Sequence, residues 1–94
     1  MHNADASVEH LRETIDALAE LVQTLTPEAT GIAEEREKAL AAAGDGVTDK
    51  RVLQRFADWV LSTIGRGASA ALIPVVTAST DSMLQEASRL TGHL

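Results

Sequence analysis

"VEHLRETIDALAELVQTL", residues 8–25, sets Val8, Leu11, Ile15, Leu18, Val22 and Leu25 at alternating steps of three and four. That spacing puts all six side chains on one stripe of an α-helix. In heptad terms Val8, Ile15 and Val22 fall at a and Leu11, Leu18 and Leu25 at d, the arrangement that favours a two-stranded parallel coiled coil. The flanking e and g positions are Ser7, Arg12, Thr14, Ala19, Leu21 and Thr26, almost without the paired charges that fix register in a free-standing zipper. Leu21 and Ala19 widen the apolar face instead, as in a bundle where more than one helix covers the stripe.

Burying the six stripe residues contributes about 9–18 kcal/mol gross, at about 1.5–3 kcal/mol each, so the stripe is expected to be covered. What covers it depends on the rest of the chain. Ninety-four residues make one small domain with a thin core, and sixteen of the apolar residues are alanine, beside one Phe, one Trp and no Tyr. The expectation is a cover shared between the chain's own helices and a second copy. Val8, Leu11, Ile15, Leu18, Leu21, Val22 and Leu25 then form the interface of a homo-oligomer, with a dimer favoured.

Ala, Leu, Glu and Arg dominate and no segment alternates like a strand, so the chain reads as an all-α bundle of about four helices in a single domain, 1–94. The first helix is expected near 5–25, ending before Thr26-Pro27 because the residue before proline is disfavoured in the α region. The second, near 27–43, starts from Thr26 as N-cap with Pro27 at its first position. Its only large apolar residues are Ile32 and Leu40, so it should be the most exposed, and "GDG" at 44–46 ends it in a glycine cap and a turn. Thr48 is the natural cap of a third helix, near 49–64, whose Val52, Leu53, Phe56, Val60, Leu61 and Ile64 form the broad stripe of a core-facing helix. A fourth helix is expected over 67–91, kinked or divided somewhere in 74–80 by Pro74 or by Ser79, Thr80, Asp81 and Ser82, which compete for backbone hydrogen bonds. Gly65, Gly67 and Ala71 are spaced for close helix packing. On this division Leu18→Asp changes assembly, whereas Leu61→Asp unfolds the chain.

Charge excludes some functions. Residues 1–47 hold ten acids and three bases, a net of −7, while residues 48–94 hold four acids and five bases, a net of +1. A nucleic-acid partner needs clustered Lys and Arg, and none is expected here. Lys50, Arg51 and Arg55 make a small basic patch that is expected to pair with "EERE" at 34–37, within the chain or between copies. Zero cysteines exclude disulfide frameworks and thiolate zinc sites, and the first residues lack a signal-peptide pattern, so the chain is expected to be cytoplasmic.

No catalytic motif stands out: there is no nucleophile elbow, no Gly-rich phosphate loop and no base spaced to activate a serine. The expectation is a non-enzymatic protein–protein interaction or oligomerisation module without catalytic residues, cofactor or metal. His10 and Glu13 share a helix face, but bundle metal sites need such pairs from several helices, pointing inward. Glu9, Glu13, Asp16 and Glu20 are read as a solvated face. Residues 67–80 carry no charge, which leaves as an alternative a small membrane-active protein that inserts residues 59–80. A span needs about 20 apolar residues and Arg66 interrupts this one, so a membrane is not the expected partner. A second alternative is an acidic helical binder that neutralises a toxin or enzyme.

"AEEREKALAAAGDGVTDKRVLQRFADWVLSTIGRGASAALIPVVTA", residues 33–78, resembles small helical modules of bacterial conflict and signalling proteins. In those an acidic helix is followed by a capped amphipathic helix and a Gly/Ala-rich apolar one. The resemblance covers about half the chain and rests on pattern, without an invariant motif. It implies an adaptor or effector-associated module that works through homotypic or partner-helix contacts. This chain departs from the pattern in its N-terminal heptad helix and in having no catalytic domain attached, and no functional residue carries over.

Overall fold

Each run of apolar residues at steps of three and four forms a helix in the computed structural model, which describes residues 3–44, 47–66 and 70–91. Among these the chain forms α1 (Asn3–Leu25), α2 (Ile32–Ala42), α3 (Lys50–Gly65) and α4 (Ile73–Thr91). A 3-10 turn, Ala70–Leu72, leads directly into α4. Sequence neighbours pack side by side, α1 on α2, α2 on α3 and α3 on α4, and α1 closes the ring against α4. The chain is an all-α four-helix bundle measuring 43 × 24 × 20 Å.

Several boundaries differ from the sequence expectation. α2 begins at Ile32, five residues after Pro27, because Gly31 takes the left-handed conformation (φ 80°) and breaks the backbone direction. Thr26 therefore caps nothing: its N–H donates to the Val22 carbonyl at 2.7 Å, and its carbonyl accepts from Ala29 N–H at 3.0 Å. Asp49, rather than Thr48, caps α3, its carboxylate accepting from the N–H groups of Arg51 and Val52. Gly44 joins Ala43 in a two-residue extended stretch paired antiparallel with Val47–Thr48, in place of a left-handed glycine cap. Pro74 lies in the first turn of α4, where its missing N–H leaves no intrahelical bond unmade, so α4 runs undivided through 74–80. The Thr80 hydroxyl turns inward and donates to the Thr77 carbonyl at 2.9 Å.

The larger correction concerns the core. Leu11, Ile15, Leu18 and Val22 are at most 2% exposed within the single chain, in one cluster with Leu53, Phe56, Ala57, Val60 and Ile64. None of these four α1 residues reaches the surface, and Val8, Leu21 and Leu25 are half-buried at the edge of the stripe. The wall that closes over them comes from α4, where Val76, Thr80, Met83 and Ala87 are buried at steps of four, three and four. Buried Ala39, Ala42 and Ala57 let the backbones approach, so modest side chains fill the interior. Val52 and Leu61, expected at the centre, are half-buried on its margin.

Gly65 and Ala71 are exposed, and Gly67 lies outside the described residues. A methyl group on Gly65 would meet the Ile73 Cδ1 at 3.7 Å, an ordinary contact, so no close helix approach depends on that glycine.

Leu18→Ala is expected to cost about 2–5 kcal/mol and Leu61→Ala distinctly less, read as urea-denaturation midpoints. An equal effect would place Leu61 in the core and not on its margin. Gly65→Ala should stabilise by about 0.4–1 kcal/mol by restricting the unfolded chain. Gly31→Ala should cost about 1–2 kcal/mol, because it forces an L-residue into the left-handed region. Thermal melts of the two variants should therefore shift in opposite directions.

Candidate functional site

With the α1 stripe enclosed, the described surface offers a groove, an apolar ridge and unpaired charge. The groove, of about 760 Å³, lies between α2 and α3. Buried Ala39, Ala42 and Phe56 and half-buried Val52 and Trp59 give it an apolar lining. Its α2 wall is made of alanines, Ala39, Ala41 and Ala42, so little side-chain bulk fills the space beside Phe56 and Trp59. The only two aromatic residues of the chain meet here, Phe56 and Trp59 stacking with centroids 6.1 Å apart and rings inclined by 25°. Such an offset pair fixes the indole orientation while leaving one edge to solvent.

Glu35, Lys38, Ala41, Asp49 and Arg55 complete the rim. Three of its four charges are already engaged. Glu35, with 28% of its side chain exposed, pairs with Lys38 at 3.7 Å, and Asp49 serves as the α3 cap. Arg55 is exposed and makes no ion pair among the described residues, and neither do Lys50 and Arg51. Within the chain, the expected pairing of this basic patch with residues 34–37 is thus not formed among the described residues. Arg36 turns the other way and binds the Asp16 carboxylate, tying α2 to α1.

A smaller hollow of about 380 Å³ lies beyond Trp59, between Thr26, Thr30, Thr63 and Arg66. The Thr26 hydroxyl is buried without a hydrogen-bond partner among the described residues.

The ridge belongs to the start of α4. Leu72 and Val75 are 41% and 61% exposed, the large hydrophobics left in solvent among the described residues. Exposed Ala71, Pro74 and Ala78 extend them into one uncharged strip that ends at Asp81. The same helix turns its Val76, Thr80, Met83 face inward, so α4 is apolar on two sides over its first two turns. The sequence pattern does not separate this strip from the buried face of α4; its one signal is the absence of charge over 67–80.

His10 does not meet Glu13 in a metal-like arrangement; its Nδ1 lies 2.7 Å from the Glu86 Oε1, linking α1 to α4. Arg89 approaches the other oxygen of Glu86 at 3.6 Å. Among the described residues no group of three or more His, Asp or Glu could hold a metal ion. Residues 59–80 are not one helix, since α3 ends at Gly65 and α4 starts at Ile73. No described helix is long and apolar enough to cross a membrane.

Comparison of the chain with protein-family models, with curated proteins and with solved structures gives no match.

Ala41 and Arg55 on the groove rim and Val75 on the ridge are exposed, so substitutions there should leave folding intact. Ala41→Trp, Arg55→Glu and Val75→Glu are each expected to change unfolding free energy by no more than about 0.5 kcal/mol, as surface substitutions do. Urea titrations followed by circular dichroism check this, and a larger loss would place the residue in the core.

Proposed function

We propose that this chain is a non-enzymatic protein–protein interaction module that self-associates. The observation that carries the reading is the uncharged strip of Leu72 and Val75, 41% and 61% exposed, on a protein of net charge −6. A small chain has little apolar residue to spare for solvent, and an exposed apolar strip marks a contact surface more often than a scattered single residue does.

Self-association is favoured over a foreign partner because the strip is the place where two copies of an acidic chain approach without opposing carboxylates. Glu9, Glu13 and Glu20 on α1 and Glu34 and Glu37 on α2 are exposed and repel a second copy from those faces. The resemblance of residues 33–78 to adaptor modules agrees with this role. The contact surface in this reading is the ridge of α4, since Leu11, Ile15, Leu18 and Val22 are enclosed.

Sedimentation equilibrium over a wide concentration range tests the reading. The wild-type chain should show a weight-average mass that rises with concentration above 9.9 kDa, and Val75→Glu should remain at 9.9 kDa. A wild-type chain that stays at 9.9 kDa throughout overturns self-association.

A further inference from the structure

The hollow of about 380 Å³ beside Trp59 lies at the end of the bundle where α1 stops at Leu25 and α3 at Gly65. Thr26, Glu28, Thr30, Thr63 and Arg66 line it, and none of their side chains makes a hydrogen bond or ion pair among the described residues. We infer that this hollow binds a small zwitterion of the amino-acid class, its carboxylate on Arg66 and its ammonium on Glu28.

Thr26 separates this hollow from an ordinary polar dent. Exposed Glu28, Thr30 and Arg66 have water as a partner, but Thr26 is 7% exposed and its hydroxyl is buried without one in the chain. Native structures seldom leave a buried hydroxyl unpartnered without a reason, because its desolvation is not repaid. A ligand seated in the hollow supplies the group that the chain does not.

Charge selects the class of ligand. The lining carries one base and one acid, and the two do not pair with each other. A plain anion would meet Glu28 and a plain cation Arg66, whereas a molecule bearing both charges answers both. The guanidinium fork matches a carboxylate, and threonine hydroxyls donate to its oxygens. The ammonium suits this end of the bundle for a second reason. The carbonyl ends of α1 and α3 both lie here, and neither helix has a basic residue in its last turn to offset its dipole. Trp59, stacked on Phe56, adds apolar surface for the carbon atoms of the ligand. The volume sits near the lower end of small-molecule sites, which suits a ligand of this size.

NMR titration of the full chain with free L-alanine tests the site, followed at the Trp59 indole N–H and the Thr26 and Thr63 amides. Saturable shifts are expected with alanine. Acetate and methylammonium, each carrying one of the two charges, should bind about tenfold more weakly or worse. Arg66→Gln and Glu28→Gln, both at exposed positions and checked as helical by circular dichroism, should each weaken alanine binding by about tenfold. Thr26→Val, close in shape, should weaken binding without lowering the thermal midpoint. A lowered midpoint would mean that the hydroxyl has a partner within the chain, and the ground for the site is lost. Absence of saturable shifts, equal affinity for acetate or methylammonium, or unchanged alanine binding in any of the three variants likewise overturns it.

Discussion

Everything else in this molecule depends on the enclosure of the α1 stripe. Leu11, Ile15, Leu18 and Val22 together contribute about 6–12 kcal/mol of burial, a quantity comparable to the whole net stability of a domain this size. They can be buried only if three other helices surround α1, which is why α3 and α4 both turn their apolar faces to it. Alanine makes this possible in a chain with one Phe and one Trp. Small side chains on α2 and α3 bring the backbones close enough for Leu, Ile and Val to fill the interior, and the same economy of bulk leaves a groove where α2 faces α3.

The division of surfaces follows from that enclosure. A helix that gives its best stripe to the interior has only its polar face to offer outside, and α1 accordingly presents Glu9, Glu13 and Glu20 to solvent. α4 is different. Its buried steps at Val76, Thr80, Met83 and Ala87 use one face, while Leu72 and Val75 remain on another. The acidic residues thus gather on α1 and α2, while the exposed large hydrophobics, Leu72 and Val75, sit on the half of the chain with the lower charge.

The helical class was legible from residue 8 to 25 alone, and the α3 stripe was equally plain. What misled was assigning the two stripes to different partners. The α4 face that covers α1 has the same 4-3-4 spacing as a heptad seam, but Thr80 interrupts it with a hydroxyl, Met83 is flexible and Ala87 is small, so its periodicity is faint. The chain satisfies Thr80 locally through the Thr77 carbonyl, a bond that composition does not announce. Pro74 looked like a kink because its effect depends on position, and only the start of α4 at Ile73 makes it harmless. The start of α2 turned on the backbone of Gly31, where the tetrapeptide Thr26-Pro27-Glu28-Ala29 carried a plausible cap of its own. The groove was invisible for a simpler reason: a cavity is made by what is missing between two helices, and alanines read as good helix formers before they read as space.

The order of helices around the bundle also governs how the chain finds its shape. Three of its four sides join helices adjacent in sequence, α1 to α2, α2 to α3 and α3 to α4, through connections short enough to close with little loss of entropy. Loops of that length form within microseconds, and helical folds built from local contacts sit at the rapid end of folding kinetics. The fourth side, α1 against α4, joins the two ends of the chain, and its His10–Glu86 link spans 76 residues. Closing the bundle therefore costs the most chain entropy at the seam between the first and last helices, the side that joins residues farthest apart in sequence.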